Sequence, residues 1–244
     1  MSDDRGRLFG TVAELYDHYR PDPPEGLVAY LGELAGRRVL DVGAGTGKLT
    51  RFLLARGARV SAVEPDDAMR AVLLARSPGV EAIAATAEAL PFAEATFDLV
   101  ASSSAWHWFE HPAAELELAR VLRDGGRIVV AWNGLSRTEP WVRDLVRRRE
   151  RGDDPYRRPR GWHADLSAGP YVEPSDFDLE WVWRRSVEEL VGVFATYSGS
   201  LVRPDEERLE LLAAVRAEAE ARAVGGVLEV PMSLRGTTAR RRAR

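Results

Sequence analysis

Val39-Leu40-Asp41-Val42-Gly43-Ala44-Gly45-Thr46-Gly47-Lys48-Leu49-Thr50 is the stretch that decides the fold. Its apolar first residues predict a buried strand, and glycine then recurs at every second position from Gly43 to Gly47. Glycine readily adopts positive φ, and its lack of a side chain lets a ligand approach the backbone N–H groups. The helix predicted to follow directs its positive dipole end and unpaired N–H groups to the same place. The stretch therefore predicts a cradle for a nucleotide-type cofactor.

The spacing of these glycines distinguishes between kinds of cradle. A P-loop has four residues between its first glycine and the Gly-Lys pair, with Ser or Thr next. Here three residues separate Gly43 from Gly47, and Leu49 follows Lys48. A dinucleotide fingerprint would need its third glycine where Lys48 stands. The observed D-x-G-x-G-x-G pattern resembles motif I of the class I methyltransferases that depend on S-adenosyl-L-methionine (SAM). Taken alone, a purely structural glycine turn is the alternative.

Composition restricts the class of protein. The 244 residues suffice for one large α/β domain. A net charge of −4 weighs against a nucleic-acid partner, which requires a basic surface. Cysteine is absent, which excludes a thiolate metal site and a catalytic thiol. Residues 1–10 are polar, and no run of about 18 apolar residues predicts a membrane span. We expect a cytoplasmic enzyme without a membrane or metal partner.

Strand-like and helix-like segments alternate from residue 37 onwards. Such alternation predicts βαβ units and therefore a parallel sheet with helices on both faces. With the motif I resemblance, the expected fold is a Rossmann-like, doubly wound α/β domain with a mostly parallel seven-stranded sheet and an N-terminal helical cap. The predicted core strands cover 37–42, 59–63, 80–84, 97–101 and 127–132, and the helices between them cover 48–55, 66–75 and 112–122.

The remaining segments surround this core within a single domain, 1–244. Further helices are predicted over 9–20, 25–35, 140–151, 206–224 and from the Ser186 capping box to 197, and further strands over 177–185 and 227–232. The resulting divisions are a helical cap (1–36), a SAM-binding core (37–133), an insertion or lid (134–176), C-terminal strands and helices (177–234) and a solvated basic tail (235–244). The insertion or lid contains a long loop at 152–174.

Glu64 is the second cofactor signal, because it ends the second predicted strand 21 residues after Gly43. A carboxylate at this strand tip is positioned to accept hydrogen bonds from both ribose hydroxyls, with Pro65 beside it. An acid favoured by the helix dipole is the alternative. NAD enzymes share this acid, so Glu64 does not distinguish SAM from NAD.

The third signal does distinguish them. Ala85-Thr86-Ala87-Glu88-Ala89-Leu90-Pro91-Phe92 and Phe97-Asp98-Leu99-Val100 resemble the A-E-x-L-P-F and F-D-x-V segments of small-molecule class I methyltransferases. Leu122-Arg123-Asp124-Gly125-Gly126 resembles their L-R-P-G-G turn. The resemblance implies that the loop after strand three borders the adenine, with Thr86 where the family often has Asp. The cofactor site predicted in the core comprises Asp41, Gly43, Ala44, Gly45, Gly47, Glu64, Pro65, Thr86, Ala87, Glu88 and Ser102.

Two segments resemble the acceptor side of trans-aconitate-type and related methyltransferases. The strip 102–109 contains an A-x-H-W pattern, in which His107 is a candidate base and Trp106 and Trp108 are candidate walls of the acceptor pocket. The alternatives are a loop-ordering histidine and core tryptophans. The N-terminal pattern F-G-x-x-A-x-x-Y-x-x-Y-R-P resembles a helix that closes over SAM. There Tyr16 and Arg20 are predicted to contact the cofactor, with Arg20 paired to the methionine carboxylate of SAM. Tyr19 is predicted to contact the acceptor.

Tyr16 and Tyr19 are expected on one helical face, and a simple docking face is the alternative. The arginines between 143 and 160 are predicted to be a solvated charged stretch, with attraction of an anionic acceptor as the alternative.

These signals predict a SAM-dependent methyltransferase that acts on a small molecule by in-line transfer to an O, N or C nucleophile. Such a displacement needs alignment and exclusion of water more than a fixed catalytic residue. An NAD(P)-dependent reductase is the first alternative; Lys48 and the lack of a Tyr-x-x-x-Lys relay oppose it. A SAM-binding module without catalysis is the second. Nothing in the sequence indicates the oligomeric state.

Overall fold

The computed structural model of the protein describes residues 12–150, 164–167 and 169–243. Within them, one seven-stranded sheet has the order β3-β2-β1-β4-β5-β7-β6. Its first five strands run parallel, and β7 runs antiparallel to both of its neighbours. The strands are β1 (Arg38–Val42), β2 (Arg59–Val63), β3 (Glu81–Ile83), β4 (Phe97–Ser103), β5 (Leu122–Leu135), β6 (Tyr171–Ser186) and β7 (Val227–Arg241).

Helices cover both faces of this sheet. They are α1 (Ala13–Tyr19), α2 (Val28–Leu31), α3 (Lys48–Leu54), α4 (Asp67–Arg76), α5 (Ala113–Val121), α6 (Pro140–Arg149), α7 (Val187–Ala195), α8 (Ser198–Leu201) and α9 (Asp205–Glu220). Leu40 and Val42 pack in one buried cluster with α5, whereas Val39 packs on the opposite face with α2 and α3. Burial of β1 on both faces explains its unbroken apolar run. The predicted Rossmann-like fold is confirmed.

The C-terminal strand corrects one boundary. Residues 235–241, predicted to belong to a solvated tail, continue β7 and pair with both β5 and β6. Arg241 is only 6% exposed, and its guanidinium donates a hydrogen bond to the carbonyl of Leu122. The predicted strand ended too early because the polar residues that follow it are held in the sheet by pairing with distant strands. Local hydropathy contains no information about that pairing.

The predicted lid segment 134–176 is also corrected at its end. β6 begins at Tyr171, whose buried ring donates through its hydroxyl to the carbonyl of Glu115 at 3.0 Å. Ala164 and Leu166 are buried in the main core. The greater part of the predicted loop, 151–163, lies outside the described residues, as do Phe9 and Gly10 of the N-terminal pattern.

Several other elements are also shorter or longer than predicted. The second predicted helix is reduced to a 3₁₀ turn (Glu25–Leu27) followed by α2, which ends at Gly32 with φ 79°. The helix opened by the Ser186 capping box ends at Ala195. β5 begins at Leu122 because that residue already pairs with Phe97. In the described part of the chain, no helix is long and apolar enough to cross a membrane.

Candidate active site

The glycine turn joins β1 to α3 at the carboxyl edge of the parallel strands. Gly43, Gly45 and Gly47 all have positive φ, at 66°, 56° and 87°. A Cβ on Gly43 would lie 2.4 Å from that of Ala105, and one on Gly47 would lie 2.7 Å from Leu73 Cγ. A Cβ on Gly45 would meet no heavy atom of the described residues within 4 Å. Packing therefore requires glycine at the two outer positions, whereas Gly45 borders open space that a cofactor can fill.

Glu64 is joined to this turn by its side chain. Its carboxylate accepts hydrogen bonds from the backbone N–H of Gly45 at 2.8 Å and of Asp66 at 2.9 Å. Glu64 is buried, and desolvation raises the pKa of its carboxyl. The N-cap of α4 is Asp66, which accepts from the N–H groups of Ala68 and Met69. Glu64 is thus not the capping acid of α4; Pro65, between the two acids, is exposed.

Three buried oxygen atoms lie near the turn without a partner among the described residues: Asp41 Oδ1, Thr46 Oγ1 and Ser102 Oγ. The other oxygen of Asp41, Oδ2, accepts a hydrogen bond from the Thr50 hydroxyl at 2.6 Å. Asp41 stands opposite Ala101 in the β1–β4 register, so Ser102 is the next residue on the neighbouring strand. Buried polar atoms are normally satisfied, so these oxygens fit the polar groups of a bound ligand.

Asp41 also has an altered titration. Burial raises the pKa of its carboxyl from 3.8 to about 7, the Thr50 hydrogen bond opposes the rise, and the negative charge of Glu64 adds to it. A cation placed beside Oδ1 would favour the ionised form. The site is therefore suited to a ligand that presents a positively charged group to β1.

The loop after β3 contains the residues predicted to border the adenine. Thr86 is exposed, whereas Ala87 is buried in the main core. The carboxylate of Glu88 accepts from the backbone N–H of Glu110 at 2.7 Å. Glu88 therefore fastens this loop to the one that follows β4, so the two loops form a continuous border of the site.

The strip after β4 forms a 3₁₀ turn over Trp106–Trp108. Trp106 is 2% exposed and packs in the main core with its ring centroid 5.7 Å from that of Phe109. This burial fits the alternative of a core tryptophan, and the acceptor-wall role of Trp106 stays a prediction. The rings of His107 and Trp108 are partly buried and lie with centroids 4.6 Å apart. His107 therefore remains the candidate base of this strip, and Trp108 remains a candidate wall of the acceptor pocket.

The N-terminal helix α1 contacts two different elements. Tyr16 packs against Met69 and Val72 of α4. Tyr19 covers Gly192 of α7, where an added Cβ would lie 2.3 Å from Tyr19 Cδ1. α1 is therefore wedged between α4 and α7, and both tyrosine contacts fit the alternative of a docking face. Tyr19 thus docks α1 onto α7.

Arg20 has partners that the sequence did not indicate. Its Nε donates to Thr196 Oγ1 at 3.0 Å and its Nη2 donates to the Thr196 carbonyl at 2.8 Å. The guanidinium carbon also lies 3.8 Å from the ring centroid of Tyr197. Thr196 and Tyr197 are 176 or more residues away in sequence, and no local pattern points to them.

The segment around Arg20 is also attached to the glycine turn. Arg51 donates to the Asp17 carboxylate at 2.7 Å and to the Thr46 carbonyl at 2.8 Å. Lys48 Nζ donates to Asp22 at 2.9 Å. The N-terminal segment thus covers the side of the cradle. In the described part of the chain, no group of His, Cys, Asp and Glu side chains is arranged to hold a metal ion.

Comparison with known proteins agrees with this geometry. A family model for a methyltransferase domain matches residues 40–130. An uncharacterized methyltransferase of Mycobacterium tuberculosis is 36% identical over 213 residues, which cover 87% of this chain and 86% of the relative. The chain belongs to the class I SAM-dependent methyltransferases. This methyltransferase therefore uses SAM as its cofactor, and the alternative of an NAD(P)-dependent reductase is wrong.

Solved structures show the same fold. A candidate type II methyltransferase from Anaeromyxobacter dehalogenans matches with a TM-score of 0.66 and 27% identity, over 92% of this chain and 98% of its own. A phosphoethanolamine N-methyltransferase of Haemonchus contortus, in complex with S-adenosylhomocysteine, matches with a TM-score of 0.57 over 98% of this chain and 59% of its own. The latter is only 15% identical, so it supports the fold alone.

Proposed function

We propose that this methyltransferase transfers the methyl group of SAM to a small-molecule acceptor by in-line displacement at an O, N or C nucleophile. The observation that carries the proposal is the pair of elements that border the carboxyl edge of the sheet. Asn133, near the end of β5, donates to the Asp22 carbonyl at 2.9 Å and accepts from Trp181 Nε1 at 3.1 Å. The N-terminal segment and β6 are thus both hydrogen-bonded to the end of β5, and elements that border the edge in this way favour a small acceptor.

The cofactor is assigned to the cradle residue by residue. We propose that Glu64 accepts from the ribose hydroxyls and that Asp41 Oδ1 accepts from the ammonium of the methionine portion. Gly45 allows the close approach of that portion, and the loop at Thr86 and Ala87 borders the adenine. When bound, SAM supplies an electrophilic methyl group on a sulfonium leaving group. The protein aligns the acceptor with this methyl and excludes water.

His107 is proposed as the residue that takes a proton from the acceptor where the nucleophile must be deprotonated. It lies in the 3₁₀ turn after β4, whose flanking residues Ala105 and Phe109 pack against Gly43 of the glycine turn. A histidine side chain is suited to act as a base near neutral pH. Trp108, in contact with His107, is proposed to line the acceptor pocket. An acceptor carboxylate would need no base, and His107 would then only shape the pocket.

Labelled SAM tests this function. The wild-type protein and the Glu64→Ala variant are incubated with methyl-labelled SAM and a metabolite extract, and the extract is separated by mass. Label should enter a low-mass fraction with wild type and fall sharply with the variant. Label that enters only macromolecules, or no fraction at all, would contradict small-molecule methylation.

A further inference from the structure

Two arginines from distant segments contact one aromatic ring. The guanidinium carbon of Arg20 lies 3.8 Å from the ring centroid of Tyr197, and that of Arg149 lies 4.1 Å from the same centroid. We call Arg20, Arg149 and Tyr197 the arginine–tyrosine cluster. Its members come from the end of α1, the end of α6 and the turn between α7 and α8.

The backbone beneath the cluster is fixed by hydrogen bonds. Arg203 donates to the carbonyls of Arg148 at 3.0 Å and Arg149 at 2.6 Å, and to that of Gly199 at 2.9 Å. These bonds join the end of α6 to α8. Arg20 is held by its two bonds to Thr196. Both guanidinium groups therefore project from anchored positions, which lowers the entropy lost when they bind a ligand.

Within the described ranges, the positive charge of the cluster is only partly compensated. Among the residues that the structure describes, no carboxylate lies within 4 Å of the Arg20 guanidinium. Arg149 has Glu150 at 3.6 Å, and the same Glu150 oxygen also pairs with Arg137. From their distances to the shared ring, the two guanidinium carbons are at most about 8 Å apart, within the Debye length at ordinary ionic strength. A bound anion would relieve this repulsion.

The cluster also borders the cofactor cradle. The guanidinium of Arg20 lies 5.0 Å from the ring of Tyr16. Tyr16 packs on α4, the helix that begins three residues after Glu64. One turn earlier on α1, Asp17 contacts Arg51, which bonds the glycine turn. The Arg20 end of the cluster is thus linked through α1 to the elements that form the cradle. Guanidinium groups bind carboxylate and phosphate with strong, directional hydrogen bonds.

We propose that the arginine–tyrosine cluster binds an anionic group, a carboxylate or a phosphate, of the methyl acceptor. This proposal rests on the small-molecule function proposed above and adds the substrate class. It also gives Arg149 a specificity-determining role. A different assignment, in which the cluster holds the methionine carboxylate of SAM, is an outcome of the test.

The test uses protein saturated with S-adenosylhomocysteine, because its methionine carboxylate then fills any site meant for the cofactor. Malonate and inorganic phosphate are titrated calorimetrically into wild type, Arg149→Gln and Arg147→Gln. Arg147 is the matched control: it is exposed on the same helix and its substitution removes the same charge. We expect Arg149→Gln to weaken the preferred anion by about tenfold or more, and Arg147→Gln to leave it unchanged. The preferred anion identifies the group.

Three results would overturn the proposal. They are no anion binding by wild type, equal weakening in both variants, and weaker S-adenosylhomocysteine binding in Arg149→Gln, which would assign the cluster to the cofactor. Unchanged S-adenosylhomocysteine affinity also shows that the variant is folded. Failure of the small-molecule function is a separate result: anion binding would persist, but labelled SAM would methylate no low-mass compound.

Discussion

Gly45→Ala provides the sharpest test of the cofactor cradle. In the free protein the added Cβ meets no described heavy atom within 4 Å, so the cost arises from the backbone at φ 56°. An L-residue in the left-handed region costs about 1–2 kcal/mol. For a chain of this size we therefore expect the melting temperature to fall by about 2–8 °C, with the fold retained.

The cost in the complex is larger. The methyl group would occupy the space that we assign to the methionine portion of SAM, and overpacking of this kind costs about 1–3 kcal/mol. The dissociation constant of SAM should rise by about 5- to 150-fold. Gly45→Val, with a β-branched side chain, should abolish binding.

Gly79→Ala is the matched control for this experiment. Gly79 also has positive φ, 85°, and a Cβ there meets nothing within 4 Å in the described structure, but it lies before β3, away from the cradle. Calorimetry with SAM and thermal melts are carried out on both variants. Both should lose similar stability, and only Gly45→Ala should lose SAM affinity. Equal SAM affinity in the two variants would refute the cradle assignment.

Three further predictions concern the acids and the histidine. Glu64→Ala should weaken SAM by about 2 kcal/mol in calorimetry, since it removes hydrogen bonds to a charged group; an unchanged affinity would place the ribose elsewhere. Burial raises the pKa of Asp41 from 3.8 to about 7, so between these pH values the folded protein retains a proton that the unfolded chain loses. The contribution of this proton to the free energy of unfolding is fully present below about pH 4 and is lost as the pH rises through 7. Asp41→Asn should flatten this loss in urea unfolding between about pH 5 and 8, and an unaltered slope would contradict the shift. His107→Ala should lower kcat by about a hundredfold without changing SAM affinity if it is the base; full kcat from about pH 6 to 8 would exclude it.

Local sequence determined the cradle and the parallel half of the sheet. The predicted bounds of β2 match the structure, and those of β1 and α3 differ by one residue at one end. An apolar run followed by a glycine turn is a signal that spans only a few residues. It therefore predicts a strand and the turn after it without information from the rest of the chain. The position of Glu64 at the end of β2 follows from the same local pattern, because strand length and turn length fix where a carboxylate meets the turn.

Tertiary structure decided what depends on distant partners. β7 extends to Arg241 because β5 and β6 pair with it on both sides. Trp106 enters the core and Trp108 does not, although the two are only two residues apart and equally apolar. Arg20, Arg149 and Tyr197 meet from three separate segments. The packing of α1 against α7, and of α6 beside α8, brings them together, and residues joined only by packing leave no periodic or spacing signal in the sequence.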